Sequence, residues 1–189
     1  MLGIVLAGGL SSRMGRNKAL MVYQGQTLLE RAFSLLQNLT DACFVSCRDP
    51  SLYPGYPTLC DRCARIGPLG ALQTSLLFAE EVGQKTILLL ACDMPCIDRS
   101  SLLRLVAAHA ARKKTQWATL YVDHTGKREV LCALYETALL PTIALQIASG
   151  DYAVAHLLPE DGWNCVPVAH GRLCTNVNTM AEYEQLARA

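Results

Sequence analysis

The sequence predicts an α/β fold, three-layer and Rossmann-like with a mostly parallel sheet, and three observations predict it. Short apolar runs alternate along the chain with stretches of helical period. One run, Thr86–Ala91 (TILLLA), is apolar without a break, the pattern of a strand buried on both faces. Glycine or charge follows three of the apolar runs: Gly8 and Gly9 after the first, Asp61 after residues 58–60, and Asp93 after Ala91. Ligands of such sheets collect outside the carboxyl ends of the strands. The three polar ends therefore predict one shared site.

Each element follows in order. Residues 2–7 form a short β run that leads into glycines. Residues 27–38 carry apolar side chains at helical spacing, and Thr27 with Glu30 has the form of a capping box at the start. Residues 43–45 and 58–60 are short and β-like. A helix over 69–79 follows Gly67-Pro68, and the buried strand 86–91 comes next. Asp98 caps a helix that runs to about residue 112. Residues 117–122 and 130–135 read as strands around a turn at His124-Thr125-Gly126, and a helix follows around 138–148. Asn176-Val177-Asn178-Thr179 leads into a last helix, capped by Thr179 with Glu182.

Composition bounds the function. The 189 residues are enough for one domain, taken as 1–189, with a sizeable core. Half the chain is apolar, and the net charge of +1 argues against a nucleic-acid or membrane footprint, which needs a basic excess. No apolar run approaches the roughly 20 residues that span a bilayer. The nine cysteines, an odd number scattered through apolar runs, fit a reduced cytoplasmic chain. Cys60 with Cys63, and Cys92 with Cys96, could instead form a zinc or redox site, although no histidine stands at matching spacing.

The stretch IVLAGGLSSRMGRNK (residues 4–18) has the make-up of a phosphate loop. It fits neither common template. In a Walker A loop Gly9 and Gly15 would stand one residue closer and Lys18 would follow the glycine directly. The Rossmann glycine spacing is absent as well. What remains is a glycine turn whose N–H groups can approach an anion, with Arg13 as a planar fork and Lys18 as a point charge. Asp93 precedes Pro95, so it can be a turn residue or a metal ligand.

Four blocks in order resemble the molybdenum cofactor guanylyltransferases, the molybdopterin-guanine dinucleotide biosynthesis protein A family. They are Leu6-Ala7-Gly8-Gly9 through Lys18, Asp61 followed by Gly67-Pro68-Leu69, Cys92-Asp93-Met94-Pro95, and Asn176-Val177-Asn178-Thr179. The resemblance implies a sheet of the nucleotide-diphospho-sugar transferase, or glycosyltransferase-A, type. It implies transfer of GMP from GTP to the phosphate of molybdopterin, with Mg2+ as cofactor and pyrophosphate released. By that resemblance Leu6, Ala7, Gly8 and Gly9 contact base and phosphates, and Arg13 and Lys18 hold the triphosphate. Asp61 lies near the guanine nucleotide, and Asp93 binds the metal with help from Asn178. Asn176 and Asn178 touch the acceptor, and Ser46 is the candidate ribose contact. Partners would be the two substrates and molybdoenzyme-maturation proteins, and the expected state is a monomer or weak oligomer.

Cytidylyl transfer to the same pterin is the nearest alternative. Leu-Ala-Gly-Gly and Gly-Pro-Leu after the aspartate point to guanine instead. Sugar-1-phosphate nucleotidyltransferases share the first loop but run longer, and a cysteine-based metal or redox module is the alternative outside enzymes. The acceptor side departs most from the family pattern: Val130-Leu131-Cys132-Ala133 stands where relatives carry a proline, and Met180 follows Asn-x-Asn-Thr where they have proline.

Overall fold

A computed structural model describes residues 1–7, 17–61, 66–168, 173–177 and 179–187 of the chain. Its strands are β1 (Leu2–Leu6), β2 (Val22–Tyr23), β3 (Gln26–Thr27), β4 (Ala42–Cys47), β5 (Thr58–Cys60), β6 (Thr86–Ala91), β7 (Ala118–Val122), β8 (Arg128–Glu136) and β9 (Trp163–Pro167). Its α-helices are α1 (Leu28–Gln37), α2 (Pro68–Glu81), α3 (Arg99–Ala110), α4 (Leu140–Ala148) and α5 (Met180–Ala187). None is long and apolar enough to cross a membrane.

Among the described residues, seven strands form one sheet in the order β5-β4-β1-β6-β8-β7-β9, and β2 and β3 form a separate short hairpin. β5, β4, β1 and β6 are mutually parallel, and so are β7 and β9. β8 alone runs against its neighbours β6 and β7. The expectation of a mostly parallel sheet is therefore met, with one reversal in the middle of the second half.

Period-2 alternation sends side chains to two cores. On β6, Leu88 and Leu90 pack with Leu29 and Leu36 of α1 and Leu102 and Leu105 of α3. Ile87 and Leu89 pack on the other face with Leu69, Leu72 and Leu76 of α2 and Ile143 of α4. All four β6 side chains are at most 1% exposed, and full burial of such a side chain contributes about 1.5–3 kcal/mol. Helices on both faces give the three layers.

Local signals start the helices as expected. The Thr27 hydroxyl accepts the Glu30 N–H at 3.1 Å, and the Glu30 carboxylate accepts the Thr27 N–H at 2.7 Å. Thr179 and Glu182 make the same reciprocal pair. Asp98 caps α3 by accepting the Ser101 N–H at 2.8 Å. Gly67 precedes Pro68 at φ +62°, ψ −148°, a backbone region open essentially to glycine alone.

β9 was not expected. Its sequence, WNCVP, mixes polar and apolar residues. It is held as an edge strand by its pairing with β7, and Pro167 sits at its end, where a missing N–H is harmless.

Candidate active site

Sheet order brings the predicted strand ends together. At the carboxyl edge Leu6 of β1 stands between Ser46 of β4 and Ala91 of β6. The chain leaves both strands still bonded to the sheet. The Ala7 N–H donates to the Ser46 carbonyl at 3.0 Å, and the Cys92 N–H donates to the Leu6 carbonyl at 3.1 Å. Ser46 is buried. Asp61 continues β5 with its N–H on the Cys47 carbonyl at 3.0 Å, and its carboxylate accepts a long bond from the Thr74 hydroxyl. β5 and β6 are three strand spacings apart, roughly 14 Å. Asp61 and Asp93 therefore flank the site from its two sides and do not share one ion. The strand order reverses between β1 and β6, where a doubly wound sheet opens its ligand crevice.

Lys18 and Asp93 meet in that crevice. The Lys18 Nζ lies 2.7 Å from Asp93 Oδ2, and the two side chains are 15% and 20% exposed. Lys18 opens a short 3-10 turn, Lys18–Leu20, whose Ala19 N–H is capped by the Asn17 side chain at 3.1 Å. The turn carrying Asp93 is tied from two sides. Arg31 Nε of α1 donates to the Pro95 carbonyl at 2.8 Å, and the Val177 N–H donates to the Asp93 carbonyl at 2.9 Å. The second bond seats the Asn176 segment against Asp93. Gly8, Gly9, Arg13 and Asn178 lie outside the described residues.

Sequence reasoning missed Glu129. Because β8 runs against β6, its beginning returns to the edge where β6 ends, and this brings a carboxylate to the Asp93 side of the site. Glu129 is 7% exposed and accepts the Leu131 N–H at 3.2 Å, and Asn176 hydrogen-bonds its carboxylate. Burial, and then the nearby charge of Asp93, raise its proton affinity above that of an ordinary glutamate, against the lowering effect of the Leu131 and Asn176 bonds. A carboxylate takes the amide NH2 of Asn176, which turns the amide oxygen away from it. That oxygen, Asn176 Oδ1, is buried with no hydrogen-bond partner, and so is Asp93 Oδ1. The only sequence signal for Glu129 was a charge at the start of an apolar run, a position normally left to solvent.

The cysteine pairs do not form one centre. Cys60 is exposed at the end of edge strand β5, beside Cys47 across the ladder. Cys92 follows β6, again roughly 14 Å across the sheet, whereas ligands of one zinc ion lie within about 2.3 Å of it. Cys63 lies outside the described residues. Burial, with the neighbouring Asp93 charge, pushes the Cys92 thiol up to about 12, away from the reactive thiolate form. Among the described residues no group of three His, Cys, Asp or Glu side chains is arranged to hold a metal.

The family model for the MobA-like NTP transferase domain matches residues 3–166. The chain belongs to this family. As a MobA-like protein it is a nucleotidyltransferase. It is 34% identical to a probable molybdenum cofactor guanylyltransferase of Mycobacterium avium (strain 104), over 99% of this chain and 95% of that one. It is 35% identical to a molybdenum cofactor biosynthesis bifunctional protein of Synechocystis sp., over 97% of this chain, which spans about half of that longer relative. The crystal structure of molybdopterin-guanine dinucleotide biosynthesis protein A from Archaeoglobus fulgidus superposes with a TM-score of 0.80 at 19% identity, covering 100% of this chain and 97% of that one. This likeness bears out the nucleotide-diphospho-sugar transferase type of fold.

Proposed function

We propose that this MobA-like enzyme, acting as one domain over residues 1–189, transfers GMP from GTP to the terminal phosphate of molybdopterin. The observation that carries the reading is the Lys18–Asp93 pair at the mouth of the strand-reversal crevice, beside two buried acceptor oxygens that lack donors. A buried unpaired polar atom costs about 1–3 kcal/mol. Two of them, both acceptors, fit a cation. Asp93 Oδ1 and Asn176 Oδ1 are the described oxygens that would hold Mg2+, and Asn178 is assigned beside them by family resemblance. When bound, the ion would supply charge neutralisation at the α-phosphate and the leaving pyrophosphate.

The remaining chemistry falls to positioning. An oxygen of the acceptor phosphate forms the new bond to the α-phosphorus of GTP, and the bond from that phosphorus to the bridging oxygen breaks. Its electron pair leaves with pyrophosphate. The nucleophile is already anionic, so no side chain has to remove a proton. The obstacle is the repulsion of two anions, which fixed positive groups relieve. Lys18 and Arg13 are assigned to the β- and γ-phosphates, and the backbone of Leu6, Ala7, Gly8 and Gly9 to the base and phosphates. Asp61, on the far side of the crevice, is assigned to the guanine end and Ser46 to the ribose, with Asn176 on the acceptor side.

The choice of GTP and of the pterin acceptor rests on the relatives' names and the matched blocks. Incubation with Mg2+, molybdopterin and each of GTP, CTP and UTP tests it. The expected product is the guanine dinucleotide with one pyrophosphate per turnover. A cytosine dinucleotide would move the assignment to cytidylyl transfer, and no dinucleotide from any of the three would reject it.

A further inference from the structure

Tyr53 lies outside every block that drew attention in the sequence. It ends the short 3-10 turn Pro50–Leu52 between β4 and β5, with its N–H on the Pro50 carbonyl at 3.0 Å. Its side chain is driven into the core beside α1, β1 and β4 and is 4% exposed. The hydroxyl there reaches two separate parts of the chain. It donates to the Ala7 carbonyl at 2.9 Å and accepts from Asn17 Nδ2 at 3.2 Å. The proton assignment follows from the partners. A phenol has one hydrogen, and the carbonyl needs it. The Asn17 Oδ1 already accepts the Ala19 N–H at 3.1 Å, which leaves the amide NH2 for the tyrosine.

Ala7 directly follows β1, and Asn17 directly precedes Lys18. One buried hydroxyl thus ties Asn17 to Ala7. From Asn17 the linkage continues, because the same amide caps the turn that presents Lys18 to Asp93. We infer that Tyr53 is a positioning residue for nucleotide binding: its hydroxyl ties Asn17 to Ala7 at the end of β1 and so fixes Lys18 in the crevice. The inference rests on the nucleotide reading given above. Holding Lys18 in place in the free protein removes part of the ordering cost that nucleotide binding would otherwise have to overcome. Phenylalanine would fill the same ring volume and leave Asn17 untied from Ala7.

The test is equilibrium binding of Mg-GTP without acceptor, measured for Tyr53→Phe, Asn17→Ala, the double variant and Lys18→Ala, together with Tm for each free protein. Tyr53→Phe is expected to weaken Mg-GTP binding about tenfold, the effect of one hydrogen bond of ordinary strength, with Tm within a few degrees of the parent. In the Asn17→Ala background the same change should have much less effect, because both substitutions cut one linkage. In turnover the loss should fall on KM for GTP more than on kcat. Parental Mg-GTP affinity in Tyr53→Phe beside a weakened Lys18→Ala would overturn the inference and leave the nucleotide reading standing. So would a large fall in Tm with unchanged affinity of the folded fraction, which marks a packing role only. Parental affinity in both Tyr53→Phe and Lys18→Ala would overturn the nucleotide reading of Lys18 and the inference with it. If Tyr53→Phe does not fold, Asn17→Ala makes the same comparison from the partly exposed end.

Discussion

Lys18 and Asp93 are 75 residues apart in sequence and 2.7 Å apart in space, with the ammonium on one carboxylate oxygen and the other oxygen buried and unpartnered. Without a ligand the lysine supplies the positive charge that Asp93 needs. Lys18→Ala is therefore expected to have two opposite effects. Turnover should fall by about 10²–10³, as for loss of one preorganised charge contact. Binding of Mn2+ or Mg2+ without nucleotide should tighten by about tenfold, since a like charge a few ångströms away is gone. Calorimetric titration with metal alone checks the second effect, and unchanged metal affinity would show that Lys18 does not compete for Asp93.

Asp93→Asn keeps shape and removes charge. Turnover should drop by at least about 10², while Tm stays within a few degrees because the turn is held by the Arg31 and Val177 bonds to backbone carbonyls. Near-parental turnover at limiting Mg2+ would remove Asp93 from the metal role.

Glu129→Gln separates stability from function. Burying a carboxylate near Asp93 is unfavourable, so neutralising it should leave Tm unchanged or higher. The glutamine amide no longer dictates which way the Asn176 amide points, so turnover at saturating GTP should fall by about tenfold. Parental turnover would place Glu129 outside the acceptor and metal arrangement.

Glu136 sets an acid limit at the other end of the sheet. It accepts from Thr86 Oγ1 and pairs with His109 Nε2 and Arg112, each at 2.8 Å. Burial alone would raise its pKa, but the His109 and Thr86 bonds and the Arg112 charge outweigh it, and the net shift is downward from 4.5. A depressed carboxylate contributes stability above its unfolded value and loses it as pH falls through the folded one. Stability should therefore decline as pH drops below about 4.5. Glu136→Gln should cost about 1.5–3 kcal/mol at pH 7 and flatten that decline. Urea unfolding at pH 7 and pH 4 measures both.

Gly67→Ala tests the entry to α2. The space around a new Cβ is open, so the cost is backbone strain alone. At φ +62°, ψ −148° it should be about 1–3 kcal/mol, read from the urea midpoint at unchanged m. A neutral result would mean that the turn relaxes.

The sequence by itself determined what depends on near neighbours. The capping pairs Thr27 with Glu30 and Thr179 with Glu182 are three residues apart, and each formed as read. The TILLLA run has the pattern of a strand covered on both faces and is one, with Asp93 just past its carboxyl end. Tertiary structure decided what depends on strand order. The mixed sequence of β9 becomes a strand only because β7 offers an edge to pair with. Glu129 reaches Asp93 because β8 reverses, and Tyr53 reaches Ala7 and Asn17 because β4 lies beside β1. Periodicity and capping are short-range and written in spacing. The partners of a buried carboxylate or hydroxyl are chosen by a sheet whose pairings join residues tens of positions apart.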